Sequence, residues 1–197
     1  MTVNTKDYDL GRGLELRVVN KEVQDCSAQA MVCPINQDLI VEPGSVLHSL
    51  YERSSPELFL QQFGELAKKT GISLSEGSVV PLFDESYAKF IFYAVTAGTL
   101  KESTRRGWMT NGSIVYVATL RSMRIFDSMV LDSIAFPLLG AGYGGLPTKQ
   151  SVNQVVVGIK SYKDSSVSSD RRINLAVPSL PLFEEAKAYL DSLNLCD

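Results

Sequence analysis

Apolar positions along the chain fall in short blocks rich in β-branched and aromatic residues: Leu14–Val19, Ala30–Ile35, Ser78–Leu82, Phe90–Val95, Ile134–Leu138 and Ile173–Val177. Blocks of this length bounded by polar and turn-forming residues predict β-strands. Between them the spacing becomes helical. Phe59, Phe63, Leu66 and Ala67 form one stripe and Val152, Val155, Val156 and Ile159 another, each the core-facing side of an amphipathic helix. In Thr110–Val130, Ile114, Val117 and Leu120 fit either element, and length favours a helix. Leu182, Ala186, Tyr189 and Leu193 predict a closing helix, with Pro181 suited to its first turn and Glu184 and Glu185 to the positive end of its dipole. Lys101–Gly107 and Lys163–Asp170 read as solvated surface loops. Strands alternating with helices imply a layered α/β sheet, whose ligands bind outside the carboxyl ends of the strands.

One such end carries the most informative segment. The run Ser133–Pro147 empties a strand-like block into a loop with glycines at 140, 142, 144 and 145. Backbone N–H groups in a loop of this kind can turn inward as a concave nest for an anion. Gly140, Gly142 and Gly145 satisfy the spacing of a dinucleotide fingerprint, but the next block, Ile173–Val177, ends in Pro178-Ser179 rather than in the required acidic residue. The phosphate-loop pattern of nucleotide triphosphatases also fails, because Leu146 and Pro147 follow Gly145.

At 197 residues the chain is expected to be a single domain over 1–197, with 1–13 as an N-terminal extension. A net charge of −3 argues against dedicated nucleic-acid binding. Cys26, Cys33 and Cys196 lack paired metal-ligand spacing and His48 is the single histidine, so neither a metal site, a cofactor nor a disulfide framework is expected. With no signal-like or membrane-spanning run, a cytoplasmic protein without a membrane partner is expected.

Taken together, these segments resemble those of macrodomains, modules that bind ADP-ribose. The resemblance is carried by Val18–Val23, by Ala30–Asn36, by Gly44–Leu58, by Ser75–Val80 with Ala88–Val95, and most strongly by Ser133–Pro147. It implies a three-layer α/β/α fold with a central mixed sheet. It also implies a ligand site: Glu22 receives the adenine amino group, Asn36 faces the distal ribose, and Gly44, Ser45 and Val46 form a first phosphate loop. Leu139, Gly140, Ala141, Gly142, Tyr143, Gly144 and Gly145 form the second, with Tyr143 beside a ribose. Such a site needs an acceptor for the adenine amine, backbone donors for the diphosphate and apolar walls.

Catalysis is less well provided for. Where many hydrolytic macrodomains have three glycines, a valine and an acidic residue, this chain has Pro43-Gly44-Ser45-Val46-Leu47, and leucine can neither take a proton nor orient a water. No lysine lies between Lys21 and Lys68 to act as a nucleophile, and one histidine does not make a zinc site. Cys33 and His48 are expected to be a buried strand thiol and a helix imidazole, not a catalytic pair. The leading expectation is therefore binding of ADP-ribose or an ADP-ribosyl derivative, with ADP-ribosylated proteins as partners. The alternatives are hydrolysis of an ADP-ribosyl or acetylated ADP-ribose ester, with Asn36 catalytic in orienting a water, and a module that reads another nucleotide or a protein.

Overall fold

The computed structural model describes residues 3–11, 13–54, 75–84, 87–99, 108–162 and 171–193, with positions 57, 61 and 64. The elements run β1 (Thr5–Asp9), β2 (Leu14–Val19), a 3-10 turn (Val23–Asp25), β3 (Ala30–Asn36), α1 (Val46–Arg53), β4 (Val79–Phe83) and β5 (Phe90–Thr99). They continue through β6 (Trp108–Met109), α2 (Gly112–Ser128), β7 (Ser133–Pro137), α3 (Thr148–Ser161), β8 (Arg171–Ala176) and α4 (Leu180–Ser192). The stripe Phe59, Phe63, Leu66 and Ala67 and the two surface loops lie outside the described residues.

The strands hydrogen-bond in the order β1-β2-β8-β7-β3-β5-β4, with β6 paired to the end of β5. The pairs β2–β8, β8–β7, β7–β3 and β3–β5 are parallel, whereas β1, β4 and β6 add antiparallel edges. This is the mixed sheet expected of the fold. Alternate residues of the central strands serve two separate cores, as a strand period of two dictates. Ala30 and Val32 of β3 and Phe92 and Ala94 of β5 join one core with Val115 and Phe126 of α2, Val152 and Val155 of α3, and Phe183 of α4. Met31, Cys33 and Ile35 with Ile91, Tyr93 and Val95 pack on the opposite face with Leu47 and Leu50 of α1. Parallel strands covered on both faces lose the polar-out alternation, which is why they appear in sequence as continuous apolar blocks.

Three expectations need correction. Residues 1–13 are not merely an extension, because Thr5–Asp9 pairs along its length with β2 and Arg17 of β2 clasps Asp7 through two side-chain hydrogen bonds. That guanidinium holds the Asp7 carboxyl below its ordinary range. Second, α4 starts at Leu180, so its first turn contains no acidic residue and Glu184 and Glu185 fall beyond the strongest part of the dipole. Third, β7 ends at Pro137, and Leu139 is completely buried in the core instead of facing a ligand.

Candidate functional site

Four strands, β3, β5, β7 and β8, deliver their carboxyl ends to one cavity of about 450 Å³, where Asn36, Ala97, Pro137 and Ala176 form part of its floor. Two loops close its sides. The first turns at Pro43-Gly44, where Ser45 N–H donates to the Glu42 carbonyl at 3.0 Å and Gly44 has φ +77°. Proline followed by a residue at positive φ has the form of a type II turn, which explains the pair in physical terms. Ser45 then caps α1, its hydroxyl accepting from His48 N–H at 3.0 Å. The N–H groups of Val46 and Leu47, the open donors of a helix start, find no acceptor among the described residues. Proline thus removes one donor without closing the cavity, which Gly44, Ser45 and Val46 all border.

The second loop is braced internally. Ala141 N–H donates to the Leu138 carbonyl at 3.2 Å, Gly145 N–H to Gly142 at 3.0 Å, and Leu146 N–H to Gly140 at 3.0 Å. The N–H groups of Gly142, Tyr143 and Gly144 are left without an acceptor among the described residues. Three successive open amides on the rim of a cavity constitute an anion nest. Gly140, Ala141, Gly142, Tyr143 and Gly144 border the cavity, whereas Gly145 does not, and Leu138 takes the place expected of Leu139.

Two supports of this loop carry no sequence signal. Thr110 receives it from outside: its N–H reaches the Gly144 carbonyl at 3.4 Å while its hydroxyl donates to the Thr96 carbonyl. Ser151, fully buried on α3, donates to the Leu139 carbonyl at 2.8 Å. Each is an isolated hydroxyl within a helical or loop segment, distinguishable from any surface threonine or serine only once the chain is folded.

Glu22 borders the cavity beside Val23 at the start of the 3-10 turn, in a position to receive a donor at that end. Asn36 also borders it, but its amide is engaged. Nδ2 donates to the Ile40 carbonyl at 2.8 Å and Oδ1 accepts Ile40 N–H at 2.9 Å. The residue clamps a loop in which Leu39 holds φ +55°, an unfavourable value for leucine. One N–H and one lone pair remain for a ligand. Asn36→Ala is therefore expected to lower stability by about 1–3 kcal/mol, because two part-buried hydrogen bonds to Ile40 are lost, at about 0.5–1.5 kcal/mol each, and a thermal melt measures it. Cys33 is wholly buried, and burial pushes its thiol far above the ordinary range; Cys26 is pushed up to about 12 by the same cause. Neither thiol is a nucleophile in this setting, and among the described residues no cluster of His, Cys, Asp or Glu could hold a metal.

No family model matches the chain. Among solved structures, the Oceanobacillus iheyensis macrodomain with ADP superposes with a TM-score of 0.79 over 98% of both chains at 16% identity. The chain has the macrodomain fold. A variant of that bacterial macrodomain with ADPR aligns with a TM-score of 0.77 over 96% of this chain and 98% of its own, at 15% identity. In sequence, the human protein mono-ADP-ribosyltransferase PARP14 is 28% identical over 138 residues, 68% of this chain. The chain spans 7% of that relative's length. Within the macrodomain fold, the cavity here is bordered by side chains that the sequence pattern did not single out as ligand contacts, among them Ile40, Thr96, Ser49 and Leu182. Ile40 and Leu182 are 48% and 37% exposed and add apolar surface to the border of the cavity. Among the described residues no helix is long and apolar enough to cross a membrane.

Proposed function

We propose that this cavity binds ADP-ribose or an ADP-ribosyl group, free or carried on a modified protein. The observation that supports it most is the nest of open amides at Gly142, Tyr143 and Gly144, facing the start of α1 across a cavity of about 450 Å³. In this reading the diphosphate takes both sets of donors. The adenine amine goes to Glu22, and the distal ribose goes toward Asn36 and Tyr143. The ADP and ADPR of the bacterial macrodomain agree with this chemistry. The free thiols of Cys26 and Cys33 fit a reducing cytoplasm.

Binding is the reading the geometry favours over turnover. Leu47 is buried in the core, Asn36 is committed to Ile40, and Cys33 lies inside the sheet. No observation favours a general base among these groups.

Thermal unfolding with ADP-ribose tests the proposal. At a hundred times its dissociation constant the ligand adds about 2.7 kcal/mol, a rise in Tm on the order of 5–10 °C for a domain of this size. An unchanged Tm at millimolar ADP-ribose would sink the proposal.

A further inference from the structure

Three carboxylates border the cavity, Glu22, Glu42 and Glu52, yet among the described residues no lysine or arginine does. Arg53, the basic residue of α1, is turned away into a 2.9 Å ion pair with Asp25. A diphosphate entering this site meets negative charge on the rim and, from the protein, only amide dipoles. The exception is His48, which borders the cavity in the first turn of α1 and is the single histidine of the chain.

His48 has two arrangements available from one pose. Its Nδ1 lies 3.4 Å from Gly44 N and 3.6 Å from Glu52 Oε2. As a neutral ring it uses the Nδ1 lone pair to accept Gly44 N–H, which takes an amide of the first phosphate loop out of service. A protonated ring cannot accept that bond. Its Nδ1–H turns to Glu52, Gly44 N–H becomes open to an anion, and Nε2–H, which has no partner among the described residues, becomes a charged donor. Protonation therefore does two things that favour an anion: it frees an amide and places a positive charge at the loop.

We propose that protonated His48 is the cationic contact of this site, so that the ligand's diphosphate binds together with a proton. The inference rests on the reading of the cavity as an ADP-ribose site. Each phosphorus of ADP-ribose carries one ester and one anhydride bond and a constant single charge near neutrality, so the ligand itself contributes no titration there. The other titratable groups bordering the cavity with His48 are Glu52 on its own helix, 3.6 Å from Nδ1, Glu42 on the first loop, Glu22 beside the 3-10 turn and Tyr143 on the second loop. Among side-chain types imidazole is the one whose charge ordinarily changes between about pH 5 and 8, so a titration over that range isolates a histidine contribution.

Calorimetric titration with ADP-ribose from pH 5.5 to 8.5, in buffers of different ionisation enthalpy, tests this. Affinity is expected to fall about tenfold across the range, the order of a charge-assisted hydrogen bond, with net proton uptake on binding near pH 7. His48→Gln is expected to bind at every pH as the wild type does at pH 8.5, without proton uptake. The imidazole resonance of the single histidine should titrate at higher pH with ADP-ribose than without. Affinity flat with pH, or pH dependence retained in His48→Gln, overturns the role of His48 and leaves the ADP-ribose site standing. Failure of the wild type to bind at any pH removes both.

Discussion

Gly144→Ala is expected to weaken ADP-ribose binding by on the order of a hundredfold or more. A Cβ at this position would lie 2.6 Å from the Gly140 carbonyl oxygen, 3.1 Å from Gly140 Cα and 2.7 Å from Thr110 Cγ2. Two of those atoms are backbone, so the loop must open. The oxygen it strikes is the one that accepts Leu146 N–H, and Thr110 donates to Gly144 itself. Moving either pulls the nest out of shape. Hydrogen bonds to a charged group contribute roughly 1.5–3 kcal/mol each, and losing two gives the expected loss of affinity. Overpacking costs about 1–3 kcal/mol of stability, a few degrees of Tm that leaves a folded protein to titrate. Gly142→Ala is the control, since a Cβ there meets nothing within 4 Å; its Tm should stay within about 2 °C of the wild type. Full affinity in Gly144→Ala would show that the anion does not sit in the nest.

This separation between two glycines two positions apart is invisible in the sequence, where all four loop glycines look alike. The chain made legible what depends on periodicity. Six apolar blocks became β2, β3, β4, β5, β7 and β8, and the central β3, β5 and β7, packed on both faces, are apolar almost along their length. Thr5–Asp9 was hidden for the opposite reason. As an edge strand it buries one residue, Tyr8, and its ladder is made by backbone groups that any sequence possesses. Trp108–Met109 is too short for any pattern. Within the site, residue types announced the loops, while the partner of each polar group did not. Asn36 could equally have pointed its amide at a ligand or at its own loop, and only the fold brings Ile40 within reach of both ends of it. Leu138 and Leu139 exchange roles because the strand ends one residue before them, which ends the alternation that would have assigned their faces.

The same dependence on burial decides what would happen if an acid were placed where hydrolytic macrodomains have one. Leu47→Asp is expected to cost about 3–5 kcal/mol, or roughly 6–20 °C in Tm. Although Leu47 borders the cavity, it is 2% exposed and belongs to the core shared with Met31, Ile35 and Val95. The substitution removes apolar volume there and asks the same space to hold a carboxylate, which is stable in such surroundings only when paired. Among the described residues bordering the cavity the one basic side chain is that of the adjacent His48, already directed at Glu52 and Gly44. The introduced carboxyl is therefore pushed above its ordinary range. A group whose folded value is raised loses stability as pH rises beyond its unfolded value, so the penalty should grow between about pH 4 and pH 7. Leu47→Met, close in volume, should cost less than about 1.5 kcal/mol and show no such pH trend. Thermal melts of both variants across that pH range provide the measurement. A Leu47→Asp protein as stable as the wild type at pH 7 would mean that this side chain is open to water rather than held in the core.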